Sequence, residues 1–218
     1  MNTSLSDLRP PPNQRQPYQR MIVAVDIEGS TSRNNAQQGH IRDAMYQAVE
    51  SALVDCGITQ EHRDEFSDRG DGVMVLIRPV DSIPKPLLIR AVVPALRARL
   101  EEYARRHPGQ RLRLRVAIHA GDVLSDGRAP YGEDVNLTTR LLDAPEFKEQ
   151  LAESAEPLVL VVSDQVYRSA VCQGYDGIDA GEFKPLVRVC VGHHTHRGWV
   201  RVPAETHNGN VTQIDRVS

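Results

Sequence analysis

Two aspartates lie at the ends of two apolar segments. Asp26 follows the run MIVAV, and Asp71 lies in a turn before the run VMVLI. In a βαββαβ sheet the first strand lies beside the third, so the end of one strand can meet the start of the other. Adjacent carboxylates repel each other, and Mg²⁺ or Mn²⁺ relieves that repulsion in nucleotide sites. We predict a metal site here; the simpler alternative is that Asp26 is a solvated strand end and Asp71 a turn former.

The segment after Asp26 is suited to a polyphosphate. Residues 27–32 read Ile-Glu-Gly-Ser-Thr-Ser and precede a predicted helix. The free N–H groups and the dipole at a helix N-terminus attract phosphate. The hydroxyl groups of this segment also suit a helix N-cap.

Asn136 and Arg140 are four residues apart on a predicted helix, so they share one face. An asparagine amide can orient a hydroxyl group, and an arginine fork can stabilise charge that develops on phosphate. The alternative is that the two residues belong to an ordinary solvated helix face.

Hydrophobic periodicity predicts the elements that must position these residues. The predicted strands are 21–26, 62–68 and 73–77 of a hairpin, 112–123, 158–163, 186–191 and 198–202. The predicted helices are 40–56, 84–107 with a kink at Pro94, 132–153, and a short one ending at 171. We expect strand 112–123 to have one wet face that includes Arg113 and Arg115. The order predicts an α+β fold: a ferredoxin-like βαββαβ core with a C-terminal α/β extension.

Composition excludes several classes of protein. The chain has 218 residues, of which 40% are hydrophobic and 25% charged, with a net charge of −3, so a generally basic nucleic-acid binder is not expected. The longest apolar runs are about five residues, whereas a membrane helix needs about 20. No secretory signal is evident. Three widely spaced cysteines indicate reduced thiols. We expect a cytoplasmic protein with neither a nucleic-acid nor a membrane partner.

The chain is expected to form one domain with two flexible ends. Residues 1–18 hold four of the 14 prolines and almost no large apolar residue, which predicts a flexible leader. Residues 19–204 form the predicted catalytic domain. Residues 205–218 are expected to be a disordered tail.

Three segments, in order and with matching spacing, resemble one known family. VAVDIEGST and RGDGVMVLI resemble the two metal motifs of class III nucleotidyl cyclases, the adenylate and guanylate cyclase family. LRVAIHAGDV followed by YGEDVNLTTRLLDA resembles the strand–helix segment that carries its transition-state residues. The resemblance covers roughly residues 20–203.

The resemblance implies a role for each matching residue. Asp26 and Asp71 would hold two Mn²⁺ or Mg²⁺ ions, with the Ile27 carbonyl as an extra ligand. Asn136 would orient the ribose of a nucleoside triphosphate, and Arg140 would stabilise the pentavalent phosphorus. The family places its active sites between two protomers arranged head to tail. We therefore expect a homodimer in which the metal residues come from one chain and Asn136 and Arg140 from the other.

The chain departs from the purine cyclases at the residues that read the base. Ser67 stands where those enzymes usually have Lys, and Ala129 where they have Asp or Thr. The triphosphate-binding Lys of the family falls near Gly192. Its possible substitutes are Arg188, Lys184 and Arg197.

This combination resembles the bacterial pyrimidine cyclases of antiphage defence. It implies conversion of UTP to 3′,5′-cyclic UMP and pyrophosphate, with the product read by a separate effector protein. We favour UTP because Arg69 could donate to uracil O4 and the Ser67 hydroxyl could accept from N3–H. The alternatives are a cytidylate or purine cyclase, or an inactive cyclase-like module that senses nucleotides. The candidate nucleotide-binding residues are Glu28, Gly29, Ser30, Thr31, Phe66, Ser67, Arg69 and Tyr131.

Overall fold

The structure is a computed structural model that describes residues 16–202, apart from the side chain of Asp176. The predicted tail and residues 1–15 of the predicted leader lie outside the described part. The strands are β1 (Tyr18–Ile27), β2 (Ser67–Asp68), β3 (Gly72–Ile77), β4 (Leu114–Ser125), β5 (Pro130–Tyr131), β6 (Leu158–Ser163), β7 (Phe183–Val191) and β8 (His194–Arg201). The helices are α1 (Asn35–Asp55), α2 (Lys85–Leu87), α3 (Val93–Arg106), α4 (Glu133–Asp143), α5 (Pro145–Glu153) and α6 (Asp164–Val166).

All eight strands join one sheet in the order β2-β3-β1-β4-β6-β8-β7, with β5 paired to β4. β4 and β6 run parallel, and the other neighbouring strands are antiparallel. The first strand lies beside the third and near the centre of the sheet. The predicted ferredoxin-like core with a C-terminal extension is therefore confirmed.

Helices cover both faces of the sheet. Alternate residues of β1, such as Val23 and Val25, pack against α1 and α3, whereas Ile22 and Ala24 pack against the side that holds α4 and α5. The prediction of a wet face on β4 is wrong for this reason. Arg113 and Arg115 are largely buried, with side-chain exposures of 6% and 11%.

The helix around Pro94 accommodates the proline without ending. A π-helical segment, Leu88–Val92, joins α2 to α3, and Pro94 lies at the start of α3. A proline lacks an N–H group, and its ring crowds the carbonyl four residues earlier in an α-helix. The sequence predicts a kink at this point. The wider π turn instead accommodates the missing N–H group and the proline ring.

α1 begins five residues before the predicted start. Asn34 caps it: the Asn34 side chain accepts from the Gln37 N–H at 2.9 Å, and the Gln37 side chain accepts from the Asn34 N–H at 3.2 Å. This reciprocal capping box satisfies two free N–H groups. The first turn of α1 is polar, so hydrophobic periodicity does not detect it. Within residues 16–202 no helix is long and apolar enough to cross a membrane.

Candidate active site

Asp26 and Asp71 meet where β1 ends and β3 begins. Asp26 pairs with Gly72 across the ladder, and Asp71 immediately precedes that glycine. The Ile27 N–H donates to the Asp71 carbonyl at 3.1 Å. A Cβ atom on Gly72 would lie 2.4 Å from the Val25 carbonyl oxygen. Only glycine lets the two strands approach this closely, so the Gly72 position brings the two aspartates together.

Arg115 is the second neighbour of Asp26. It lies opposite Asp26 on β4, and its Nε donates to Asp26 Oδ2 at 3.1 Å, with a second bond from Nη2. Burial raises the pKa of the Asp26 carboxyl, and the negative charges of Asp71 and Asp143 raise that pKa further. The hydrogen bond and positive charge of Arg115 act in the opposite direction. Two further carboxylates thus act on the Asp26 carboxyl, and the guanidinium of Arg115 opposes them.

This surplus of negative charge fits a divalent cation. Carboxylate oxygens are the ligands that Mg²⁺ and Mn²⁺ favour. Within the described chain, no group of three or more His, Cys, Asp or Glu side chains is placed to hold a metal alone. Asp26 and Asp71 would therefore share an ion with main-chain oxygens, such as that of Ile27, and with oxygens of a bound phosphate.

The turn after β1 is held by its own side chains. Gly29 adopts a left-handed conformation with φ of 62° at the start of a 3-10 turn, Ser30–Ser32. The Ser30 hydroxyl is buried and donates to the Asp71 carboxylate, and the Ser32 hydroxyl donates to the Gly29 carbonyl at 2.8 Å. These hydroxyls do not cap α1, contrary to the prediction. Thr31 is exposed.

Glu28 is engaged within the chain. Its carboxylate forms an ion pair with Arg113 at 3.1 Å, and its N–H donates to the Arg113 carbonyl at 3.0 Å. Arg113 also donates to the carbonyl of Leu151, in the last turn of α5, and to those of Ser154 and Glu156, just beyond it. Glu28 therefore anchors the turn to the end of α5.

The hairpin β2–β3 divides the candidate base-binding residues between two faces. Ser67 pairs with Met74, which packs on the α4 side of the sheet. Arg69 extends to α4, where its Nη2 donates to Thr139 Oγ1 at 3.3 Å. Phe66 packs on the α1 side, with its ring 5.9 Å from that of Tyr46. Ser67 and Arg69 thus lie on the α4 side of the sheet, whereas Phe66 lies on the α1 side.

α4 presents Asn136 and Arg140 to solvent. Both are exposed, and neither side chain forms a hydrogen bond or ion pair with any residue between 16 and 202. Val135, Leu137 and Leu141 of the same helix are buried against the sheet. Tyr131, just before α4, is 43% exposed. The predicted pair therefore lies on one outward helix face, and within one chain it does not contact Asp26 or Asp71.

Several solved structures with a similar architecture are nucleotide cyclases. An adenylate/guanylate cyclase/hydrolase from Silicibacter pomeroyi is 20% identical with a TM-score of 0.60, over 87% of this chain and 99% of that chain. The adenylyl cyclase CyaB from P. aeruginosa is 16% identical with a TM-score of 0.59, over 88% and 98%. The chain has the class III nucleotidyl cyclase fold. The non-canonical dimeric guanylyl cyclase domain of a RhoGC fusion protein from the aquatic fungus Blastocladiella emersonii also shares it, at 14% identity and a TM-score of 0.53, over 85% and 97%. No family model and no curated protein matches the chain by sequence.

A buried polar cluster anchors the start of α4 in this cyclase fold. His119 of β4 is 2% exposed; its Nδ1 lies 2.7 Å from Ser163 Oγ and its Nε2 lies 2.8 Å from Asp134 Oδ1. Asp134 also accepts from the Asp122 N–H at 2.6 Å. The hydrogen bond from His119 lowers the pKa of the Asp134 carboxyl, although burial opposes it. Sequence patterns do not reveal this cluster, because its members lie far apart in the chain.

The predicted substitutes for a triphosphate-binding lysine lie on different sides of the cyclase sheet. Arg188 and Arg197 pair with each other across β7 and β8. Their neighbours in sequence, Val187 and Gly198, face the α4 side, so the two arginines project from the opposite face. Lys184 pairs with Val200 and shares the α4 side. Arg188 and Arg197 are therefore separated by the sheet from Asn136 and Arg140.

Proposed function

We propose that this chain is a nucleotidyl cyclase that acts on a nucleoside triphosphate. The observation that carries the proposal is the convergence of Asp26 and Asp71 at the end of β1, in a cyclase fold that also carries Asn136 and Arg140 on one helix face. The similar solved structures include adenylyl and guanylyl cyclases, which supports nucleotide chemistry.

A complete active site requires two copies of the chain. Asn136 and Arg140 are exposed on one face of α4, and their side chains form no hydrogen bond or ion pair within residues 16–202. In a head-to-tail dimer, this face of one protomer would meet the carboxylate pair of the other. A dimeric guanylyl cyclase domain among the similar structures supports the formation of a dimer.

Each residue then has a distinct role. Asp26 and Asp71, with the Ile27 carbonyl, would hold two Mn²⁺ or Mg²⁺ ions. Such ions neutralise phosphate charge and lower the pKa of a bound hydroxyl. Asn136 orients the ribose so that its 3′ oxygen lies in line with the α-phosphorus and the departing pyrophosphate. Arg140 stabilises the charge that develops on the equatorial oxygens during that displacement.

The surroundings of the hairpin favour a pyrimidine base. Ser67 is shorter than the lysine that purine cyclases usually carry, and it lies on the same side of the sheet as Arg69. Arg69 reaches α4 beside Arg140 by its contact with Thr139, which supports a role near the nucleotide. Arg69 donates to uracil O4, and the Ser67 hydroxyl accepts from N3–H. The cytosine amino group would meet the arginine donor to donor, so UTP is the preferred substrate.

The proposed product is 3′,5′-cyclic UMP. A cyclic nucleotide serves as a diffusible messenger, so a separate effector protein would read it. Antiphage defence in the cytoplasm is the role implied by the resemblance to pyrimidine cyclases.

The decisive experiment is turnover with each of four nucleoside triphosphates. Purified protein with Mn²⁺ receives ATP, GTP, CTP or UTP in turn, and cyclic products are separated by chromatography while pyrophosphate is measured. We expect cyclic UMP as the main product. Asp71→Asn should reduce the rate at least a hundredfold, whereas Asp68→Asn, a matched change in the same hairpin, should retain most of it.

Three other outcomes have distinct meanings. Cyclic CMP as the main product would contradict the choice of UTP and the base-reading role of Arg69, but not the choice of a pyrimidine. Cyclic AMP or cyclic GMP would contradict the pyrimidine proposal. No cyclic product from any triphosphate, with folded dimeric protein and either metal, would support an inactive nucleotide-sensing module.

A further inference from the structure

The sheet has an opening where β6 ends. β6 pairs with residues 114–118 of β4 on one side and with 198–201 of β8 on the other, and it stops at Ser163. β4 continues to Ser125, and β8 begins earlier, at His194. A solvent-accessible cavity of about 700 Å³ lies in the resulting gap. The side chains that matter around it are Asp134, Asp164, Arg168, Arg188, His196 and Arg197.

The carboxylates around this cavity already have partners. Asp134 is bound by His119 and by the Asp122 N–H. Asp164 forms an ion pair with Arg168 at 2.8 Å and accepts from the Trp199 indole N–H at 3.0 Å. Neither carboxylate is therefore available to neutralise a further cation.

Two arginines at the cavity have no such partner. The side chains of Arg188 and Arg197 form no hydrogen bond or ion pair with any residue in the described part of the chain. They lie directly opposite each other on β7 and β8, an arrangement in which like charges destabilise a sheet. His196 lies on the other side of β8, toward α4; its buried Nε2 has no hydrogen-bond partner among the described residues and lies 4.0 Å from Glu133 Oε1. An anion between the arginines would remove their repulsion.

The geometry points to a second ligand site in this cavity, which binds a phosphate-bearing small molecule. Paired guanidinium forks match the oxygens of a phosphate group. A volume of about 700 Å³ lies within the usual range for small-molecule sites. Arg188 and Arg197 hold the phosphate, and Gln165 and Thr195 line the remainder of the cavity. The arginines project from the sheet face opposite Asn136 and Arg140. The bound phosphate therefore lies across the sheet from those two residues, and the cavity extends through the opening to Asp134 and Leu137 of α4.

The only tryptophan of the chain reports on this site. Trp199 stacks on Tyr167 at 3.5 Å and donates to Asp164, which lines the cavity. Full-length protein in metal-free buffer with EDTA is titrated with inorganic pyrophosphate and tripolyphosphate while the Trp199 emission is followed. We expect a saturable change in emission for the wild-type protein.

Matched double variants identify the residues that bind. Arg188→Gln with Arg197→Gln should weaken binding at least tenfold. Arg105→Gln with Arg111→Gln removes the same charge from exposed residues elsewhere, and this double variant should change the affinity for pyrophosphate and tripolyphosphate less than twofold. Arg140→Ala should also leave the binding in place, which separates this site from the proposed catalytic site. Without ligand, the Arg188/Arg197 variant should unfold at the wild-type temperature or above it, because repulsion is removed.

Two results would overturn the proposal. One is the absence of any saturable change in Trp199 emission with millimolar pyrophosphate or tripolyphosphate. The other is equal weakening by the two double variants, because general charge attraction would then explain the binding.

Discussion

Arg115 fixes the side chain of Asp26, the proposed metal ligand, in one position. The guanidinium holds the carboxylate in a single orientation, and both side chains are nearly buried, at 11% and 12% exposure. When an ion pair is buried, the loss of hydration of the two charges offsets much of their attraction. The Asp26–Arg115 pair is therefore better explained by positioning than by stability, because it keeps a desolvated carboxylate ordered beside Asp71.

Arg69 provides a test of base choice. Arg69→Gln replaces an obligate donor with an amide that can donate or accept. We expect the ratio of kcat/KM for UTP to that for CTP to fall about tenfold, since the penalty against the cytosine amino group disappears. Thr139→Val is the control, because it removes the Arg69 contact on α4 and retains the cation. An unchanged ratio in Arg69→Gln would rule out base reading by this residue.

Asp134 makes the stability of the folded protein depend on pH. Its pKa is lowered in the folded protein, first by the His119 hydrogen bond. The folded state therefore favours the ionised carboxylate, and this stabilisation is present above the unfolded pKa of about 3.9 and is lost as pH falls below it. Asp134→Asn should lower the free energy of unfolding by about 1–2 kcal/mol at pH 7, with the difference shrinking toward pH 3.

Urea denaturation at several pH values measures this effect. Asp122→Asn is the control, because it removes a neighbouring carboxylate and leaves the main-chain N–H that Asp134 accepts. If the difference in unfolding free energy between Asp134→Asn and the wild type stayed constant from pH 7 to pH 3, the ionised Asp134 would not be the source of this stabilisation.

Individual strands show what the sequence can and cannot predict. The β1 run and the Asp-Gly turn predict the meeting of Asp26 and Asp71, because strand order follows from the βαββαβ pattern. The alternating RLRLR segment predicts a wet face, but of its three arginines only Arg111 is exposed. Arg115 is largely buried against Asp26 in the ladder, and Arg113 is buried against Glu28 in the turn after β1. Such long-range charge pairing has no signature in local periodicity.

Replacement by alanine should change the stability of the protein in opposite directions at two glycines on different elements. In Gly72→Ala the new Cβ meets a main-chain oxygen at 2.4 Å, which no side-chain rotation can relieve. We expect a loss of about 1–3 kcal/mol in unfolding free energy and loss of turnover, because β1 and β3 must separate at the aspartates. Gly39 lies within α1 with open space around it, so Gly39→Ala should stabilise the protein by about 0.5–1 kcal/mol. Urea denaturation of both variants measures the two effects, and destabilisation by Gly39→Ala would contradict the account of α1.

The whole molecule is predicted to function only as a pair of chains. A two-fold dimer would contain two equivalent sites, each with the carboxylates of one protomer and the α4 face of the other. Asp71→Ala and Arg140→Ala should each be inactive alone. Mixed in equal amounts and allowed to exchange, they should recover about a quarter of wild-type activity, because half the dimers are mixed and each mixed dimer has one intact site.

Subunit exchange must be verified in that experiment. Differently tagged chains that co-purify after mixing show that mixed dimers form. If mixed dimers form and no activity returns, the two residues do not act across the interface.

The central position of β1 has a consequence for synthesis of the chain. β1 is the first apolar segment of the fold, but its two neighbours are β3 and β4, which end about 50 and about 100 residues later. At about 5–20 residues per second, a ribosome needs about 5–20 s to deliver β4. Both edges of this apolar strand are unpaired until β3 is delivered, and one edge remains unpaired until β4 is delivered. The nascent chain is therefore a natural client for a ribosome-associated chaperone.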